Sequence, residues 1–346
     1  MIITRSPFRM SFFGGGTDYP PFFEEHGGSV LSTTFDKYCY TTVRHLPPFF
    51  DYRNQLTYSV IERVVLREEI RHPMVREAMK WLDMHELCIT YDADLPARSG
   101  LGSSSSFAAA LLLAFHALKG QYIAPQELAE ESIYLERVLC AEAGGWQDQI
   151  AACYGGFNRI DFSKNGFRVS PVILSRERRE MLNKRLMLFF TGFSRISSNI
   201  AKEQTAVVRD RTAELQEMCR LVDEAEKILV SKCTSLDEFG HLLNYTWELK
   251  RGLTKSISSS TLDEIYQSAR NAGALGGKLL GAGGGGFFLF YVPEGQQDSV
   301  RKALGRLLYV PFRFEDQGAQ VLYYRPEDYD PPYDGRRALA EEQGVL

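Results

Sequence analysis

The sequence predicts an α+β protein of two domains, each built on a mixed sheet. Three observations predict it. At 346 residues the chain exceeds one ordinary domain. Strand-like and helix-like stretches alternate in both halves without the regular βαβ cadence of a parallel doubly wound sheet. The second half, starting around residue 165, carries long helical segments with Glu, Lys and Leu at helical spacing, and the domains are expected at 1–165 and 166–346.

In order, Ile2-Ile3-Thr4-Arg5 reads as a strand, and Phe8 to Phe13 alternates apolar and polar residues until Gly14-Gly15-Gly16 breaks it. Ser29 to Leu31 and Tyr38 to Arg44 read as two further strands, the second rich in Tyr, Thr and Val. A loop is expected from Pro47 to Asn54, a helix from Pro73 to Leu82 and a strand from Leu87 to Tyr91. Phe107 to Leu118 is strongly helical and is stopped by Gly120. Pro125 suits a first helical turn, and that helix is expected to reach Ala141. Phe157 to Phe162 and Leu186 to Thr191 read as strands. Two or three helices follow between Ser197 and Ala272. A strand at Phe287 to Val292, a helix at Val300 to Leu308 and a strand at Val321 to Tyr324 complete the chain.

Composition excludes several classes. Hydrophobic residues make up 44% and charged residues 24%, as in globular proteins, and the net charge of −4 argues against a general nucleic-acid or anionic-membrane binder. The longest apolar run, Phe107 to Phe115, has nine residues against the roughly 20 of a membrane span. Charge and Pro interrupt the N-terminal residues at once, so a cytoplasmic protein is the default expectation. Six scattered cysteines form no CxxC and six histidines no HExxH, so no transition-metal site is expected.

The chemistry concentrates in three glycine-rich segments. Pro96-Ala97-Arg98-Ser99-Gly100-Leu101-Gly102-Ser103-Ser104-Ser105-Ser106 runs into the apolar helix. Glycines admit an anion close to the backbone, serines add donors, and the helix start aims its N–H groups at the same point. An ordinary N-cap needs one serine; four after Gly-x-Gly point to a triphosphate. The segment is not GxxxxGK[ST]: Lys278 follows Gly277, but Leu279 stands where Ser or Thr is required. The second segment, Gly281-Ala282-Gly283-Gly284-Gly285-Gly286, precedes a strand, whereas a dinucleotide fingerprint follows one. Packing against another glycine loop would explain five glycines in six positions. The third, Arg9 through Gly14-Gly15-Gly16-Thr17-Asp18-Tyr19, places an Arg in an apolar strand and an Asp after a glycine turn. This suits phosphate neutralisation and sugar-hydroxyl binding.

These segments, in this order, resemble the GHMP kinases, the family of galactokinase, homoserine kinase and mevalonate kinase. Pro-x-x-x-Gly-Leu-Gly-Ser-Ser is the most specific of them. Within the family, Ser11 to Tyr19, Asp36 to Tyr40, Thr191 to Arg195 and Gly276 to Phe287 look most like the D-glycero-D-manno-heptose 7-phosphate kinases. The resemblance implies a ribosomal-protein-like N-terminal domain and a ferredoxin-like C-terminal domain. It implies ATP and Mg2+ as cofactors and transfer to the anomeric hydroxyl of a sugar phosphate; a fucokinase-like enzyme for an unphosphorylated sugar and a catalytically silent sugar binder are the rivals, and a homo-oligomer stays open.

The resemblance also implies roles. Asp148 matches the catalytic Asp, and Arg9 the cation that stabilises the transferring phosphoryl group. Glu136, twelve positions before Asp148, matches the Mg2+ ligand, with Ser103 or Ser104 completing the metal site. The nucleotide is expected on Pro96, Arg98, Ser99, Gly100, Leu101, Gly102, Ser103, Ser104 and Ser105. The sugar is expected on Gly14, Gly15, Gly16, Thr17 and Asp18, with Gly283 and Gly284 from the C-terminal loop. Galactokinases carry Glu-His where this chain has Gly15-Gly16, so the sugar pocket is remodelled. Arg195 is the first candidate for a phosphate on the substrate, with Lys37, Arg44 and Lys250 behind it.

Overall fold

The computed structural model describes residues 1–47, 49–97, 99–192, 203, 209–254 and 256–326. The first sheet is antiparallel apart from one pairing. Strand β1 (Ile2–Phe13) pairs with β2 (Gly28–His45), which continues through β5 (Leu87–Ala93), β3 (Asn54–Thr57) and β4 (Ile61–Val64); only β3 and β5 run parallel. The second half of β2 pairs with β5 and its first half with β6 (Phe157–Ser163), which carries β7 (Gly166–Pro171). The two strands expected at 29–31 and 38–44 are one, because β1 pairs along both halves and Phe314 and Glu315 pair with Phe35 and Thr34 between them. Helices α1 (Pro20–His26) and α2 (Pro73–Trp81) connect strands, and α3 (Ser103–Leu118) lies across β1 and β2. That burial explains why α3 is apolar around most of its circumference.

Helix α4 (Pro125–Ile133) does not run unbroken to Ala141. It widens into a π-helical turn at Tyr134–Leu139, and the turn pushes the Glu136 side chain inward. Helix α5 (Gln147–Tyr154) follows.

The second sheet holds β8 (Leu186–Phe190), β9 (Gly276–Leu279), β10 (Phe287–Tyr291) and β11 (Leu308–Val310) in the order β11-β8-β10-β9, all antiparallel. Helix α6 (Arg176–Arg185) precedes it. Helices α7 (Thr212–Val230), α8 (Asp237–Arg251) and α9 (Ser260–Asn271) connect β8 to β9, and α10 (Gln297–Ala303) connects β10 to β11. Among the described residues this is the ferredoxin-like order that the family resemblance implies. The helix expected at 300–308 ends at Ala303, since Leu308 to Val310 pair with β8.

The sheets do not follow the division at residue 165. That point falls in the β6–β7 hairpin, and β12 (Phe314–Glu315) and β13 (Gln320–Tyr324) return to the first sheet against β2 and β1. Among the described residues Arg325 returns beside Met1, its N–H donating to the Met1 carbonyl at 3.0 Å, and the halves share a core. Phe12 and Phe13 of β1 meet the Phe239 ring of α8 edge-on at 5.4 and 5.1 Å. This contact fixes the end of β1, which carries Arg9 and leads into Gly14, against the second domain.

Candidate active site

Gly102 stands in the left-handed region (φ 76°) and α3 starts immediately after it, with no side chain capping the helix. The helix start therefore presents backbone donors and its positive end to the space in front of it. A Cβ on Gly102 would lie 3.3 Å from Arg9 Cγ and 3.5 Å from Asp148 Oδ2. The absent side chain is what lets the Arg9–Asp148 pair approach the serine loop.

Arg9 and Asp148 form a bidentate ion pair, Nε to Oδ1 at 2.7 Å and Nη2 to Oδ2 at 2.8 Å. Arg9 Nη1 also donates to the Gly100 carbonyl at 2.7 Å. The Arg9 side chain is almost wholly buried, while Asp148 keeps a quarter of its side chain exposed. A planar guanidinium locked on three oxygens holds the carboxylate in one orientation with one edge toward the opening.

Asp18 organises the opposite wall. Its Oδ1 accepts from Gly16 N at 2.9 Å, its Oδ2 from Gln147 N at 3.3 Å, and its carbonyl from Trp146 N at 3.1 Å. The carboxylate thus ties the first glycine turn to the segment that opens α5 and carries Asp148. Burial pushes its carboxyl above the ordinary range, and the charge of Asp148 adds to this against the backbone donors. A Cβ on Gly145 would fall 1.9 Å from Asp18 Oδ2, which explains a glycine there. Arg137 fixes the same segment through the carbonyls of Glu142, Ala143 and Gly145.

Between these walls lies a cleft with about 980 Å3 of empty space, part of it open to solvent. Glu136 enters it from the π-helical turn. Its Oε2 accepts from Ser105 Oγ at 2.6 Å and from Gln149 Nε2. With Ser103 and Ser104 on the same cleft, the donor set is one carboxylate and hydroxyls, hard oxygens of the kind Mg2+ takes. Two buried lysines complete the lining: Lys250 of α8 donates to the Gly281 carbonyl, and Lys278 of β9 to the Phe12 carbonyl at 3.0 Å. Two buried polar atoms on the cleft wall, Ser11 Oγ and Gln147 Oε1, have no hydrogen-bond partner among the described residues.

This arrangement has relatives. Residues 61–156 match the model of the GHMP kinases N terminal domain, and residues 221–310 match that of the GHMP kinases C terminal domain. The chain belongs to the GHMP kinase family. It is similar to D-glycero-alpha-D-manno-heptose 7-phosphate kinase of Campylobacter jejuni, 29% identical across 88% of this chain and 93% of that one. It also resembles the bifunctional fucokinase/GDP-fucose pyrophosphorylase of Arabidopsis thaliana, 26% identical, with 84% of this chain matched to 30% of the much longer relative. A crystal structure described as a D-glycero-D-manno-heptose 1-phosphate kinase from Bacteroides thetaiotaomicron shares the fold, with a TM-score of 0.75 at 24% identity over 94% of this chain and 100% of that one.

In this GHMP kinase the cleft brings together Arg9, Gly15, Gly16, Asp18, Gly100, Gly102, Ser103, Ser104, Ser105, Glu136 and Asp148. Other expected site residues sit elsewhere. Gly14 packs its Cα against the Ser29 carbonyl, and the buried Thr17 hydroxyl bonds to the carbonyls of Gly14 and Ser29; both shape the turn from behind. Leu101 is core, Ser99 is buried with its hydroxyl unpartnered among the described residues, and Pro96 is exposed away from the cleft. Gly283 and Gly284 pack on Ile257, and it is Gly281 and Ala282 that reach the cleft. Lys37 pairs with Asp36 at 3.2 Å on β2 and, like Arg44, is not part of the lining. Arg98 and Arg195 lie outside the described residues.

Sequence reasoning passed over Lys278, considering it only to reject a GxxxxGK[ST] loop. It missed Ser11, Gln147 and Arg137 altogether. In the structure Lys278, like Arg9, is a cation inside a buried strand, but that strand is Gly-Gly-Lys-Leu and does not read as one in the sequence.

Proposed function

We propose that this protein transfers the γ-phosphoryl group of ATP to the anomeric hydroxyl of a sugar phosphate, D-glycero-D-manno-heptose 7-phosphate, giving the 1,7-bisphosphate for nucleotide-activated heptose and surface-polysaccharide synthesis. The observation that carries the transfer is the Arg9–Asp148 pair held against the glycine-serine start of α3. The triphosphate would lie on Gly100 to Ser105 and the sugar against Gly15, Gly16 and Asp18. Ser11 Oγ and Gln147 Oε1 suit a ligand rich in hydroxyls on that side. A Cβ on Gly15 would meet Ser11 Oγ at 3.5 Å, so the glycine leaves room around that hydroxyl.

In the transfer, Asp148 orients the acceptor hydroxyl and takes its proton as the new P–O bond forms, while Arg9 holds the carboxylate and faces the developing negative charge. Mg2+ bound at Glu136 and Ser103 or Ser104 would neutralise phosphate oxygens. The heptose assignment rests on the similarity to the C. jejuni enzyme along nearly the whole of both chains. The fucokinase relative supports a second reading, an unphosphorylated sugar as acceptor.

The deciding experiment is turnover of Mg-ATP with a panel of heptose and hexose sugars and their phosphates. We expect the highest kcat/KM with the heptose 7-phosphate and loss of its anomeric reducing end. Preference for the unphosphorylated sugar would overturn the sugar-phosphate reading in favour of the second one.

Glu136→Gln tests the metal ligand. The change keeps the shape and removes the charge, so half-maximal activity should require more Mg2+, with partial rescue in excess Mg2+. An unchanged Mg2+ dependence in a folded variant would remove Glu136 from the metal site.

A further inference from the structure

Two buried lysines in one cleft call for a reason, since an ammonium group taken out of water is expensive unless an anion meets it. Lys278 is 1% exposed and its amine bonds to Phe12 of β1, which ties the two sheets together and accounts for its place. Lys250 is different. It is 5% exposed, and its partner, the Gly281 carbonyl, lies on the loop after β9, a strand that already packs against α8. A bond between elements already in contact adds little as a staple. Among the described residues Lys250 makes no ion pair, and the charge of Arg9 beside it is already taken up by Asp148.

We propose that Lys250 is a catalytic residue whose ammonium group turns from the Gly281 carbonyl to the oxygens of the transferring phosphoryl group. The inference rests on the phosphoryl-transfer reading above. In the step, the bond from the γ-phosphorus to the bridging oxygen breaks and its electron pair leaves with ADP. The acceptor oxygen bonds to phosphorus, its proton passes to Asp148, and Lys250 keeps its three protons while donating to the equatorial oxygens. The geometry suits this: Gly281 touches Gly100, so the carbonyl that parks Lys250 stands beside the loop expected to hold the triphosphate.

Lys250 faces Arg9 of β1, Asp18 after it, Asp148 of α5 and Lys278 of β9. Burial first, and then the charge of Arg9, hold its ammonium down to about 8, against the opposing pull of Asp18 and Asp148. A depressed lysine is charged below that pH and loses its charge as pH rises through it. If the charge is required, kcat/KM falls above pH 8. An arginine at this position would stay charged throughout.

The test uses the full chain as Lys250→Met and Lys250→Arg, assayed with Mg-ATP and the best sugar of the panel, with melting temperature and ATP binding measured alongside. Lys250→Met should fold, bind ATP within about threefold of the parent, leave the sugar KM nearly unchanged and lose about 10²- to 10³-fold in kcat, the scale of one lost transition-state donor. Lys250→Arg should retain more activity than Met and lack the alkaline fall near pH 8. Near-parent kcat in Lys250→Met, a defect confined to KM, or an alkaline limb that persists in Lys250→Arg would each overturn the role of Lys250 alone. A Met variant that does not fold makes the Arg pH profile decisive. Absence of phosphoryl transfer by the parent enzyme to any sugar overturns the underlying reading, and this one with it.

Discussion

Asp148→Asn should lower kcat by roughly 10²-fold or more, the usual scale of acid–base assistance, and leave ATP affinity close to that of the parent. The amide keeps the size of the carboxylate but cannot take the acceptor's proton. The triphosphate is expected on the backbone of Gly100 to Ser105, to which Arg9 rather than Asp148 is hydrogen-bonded. Removing a negative charge from the cleft also makes it more attractive to a polyanion, so any change in ATP affinity should be toward tighter binding. A structural cost accompanies the kinetic one. Arg9 is buried and loses its counter-ion, keeping the Gly100 carbonyl and one amide oxygen, while the amide NH2 sets a donor against a donor. Breaking a buried pair by removing one partner costs about 3–5 kcal/mol, with the lower end expected because Asp148 is partly exposed. Turnover must therefore be compared on the fraction that is folded, judged from thermal melts at saturating nucleotide. A folded Asp148→Asn enzyme with near-parent kcat would remove Asp148 from catalysis.

Arg9 and the serine loop were legible because each sits in a local pattern that survives without tertiary information, whereas Asp148 was singled out by the family resemblance. A helix start after a glycine-serine loop and an arginine in an apolar strand each read from a handful of neighbours. The order of the second sheet was expected from the family resemblance alone, since two of its four strands, at Gly276–Leu279 and Leu308–Val310, do not read as strands locally. What was not legible depends on contacts between distant residues. Strands β12 and β13 join the first sheet because Phe314 finds Phe35 and Tyr324 finds Ile2, pairings that no short window of sequence contains. The π-helical turn that aims Glu136 is a change in hydrogen-bond register inside a helical pattern, and residue periodicity does not distinguish it from the α-helix. Lys250, in the sequence only a further candidate for a substrate phosphate, lies in a helix among other charged residues, and only the packing of α8 on β9 shows that this one is buried. Gly14, Thr17, Gly283 and Gly284 mark the converse case. The motifs containing them face the cleft, but alternate members of a tight turn point away from it and hold its shape.

Gly281→Ala should abolish most activity and destabilise the fold, because at this position the two glycine loops touch backbone to backbone. A Cβ on Gly281 would lie 2.4 Å from Gly100 Cα and 2.7 Å from its carbonyl oxygen, and one on Gly100 would lie 2.3 Å from the Leu280 oxygen. Both glycines have positive φ, +78° and +82°. No flexible side chain stands in the way to be displaced, so one loop must move. Left-handed backbone in a non-glycine residue costs about 1–2 kcal/mol, and overpacking about 1–3 kcal/mol more. The sum is about 2–5 kcal/mol, with a melting temperature lower by several degrees. The effect on turnover exceeds the effect on stability. Gly281 carries the carbonyl that holds Lys250, and Gly100 carries the one that holds Arg9, so separating the loops moves both cations away from Asp148. A misplacement of about 1 Å at reacting groups costs about 10²-fold, and kcat/KM for ATP should fall by at least that much. Gly295→Ala is the control: a Cβ there meets nothing within 4 Å and its φ is ordinary, so stability and turnover should stay near the parent. If Gly281→Ala behaves like Gly295→Ala, the loops do not need to touch. The run of five glycines would then be a turn without a packing role, and the coupling between the glycine loops and the two cations would be lost with it.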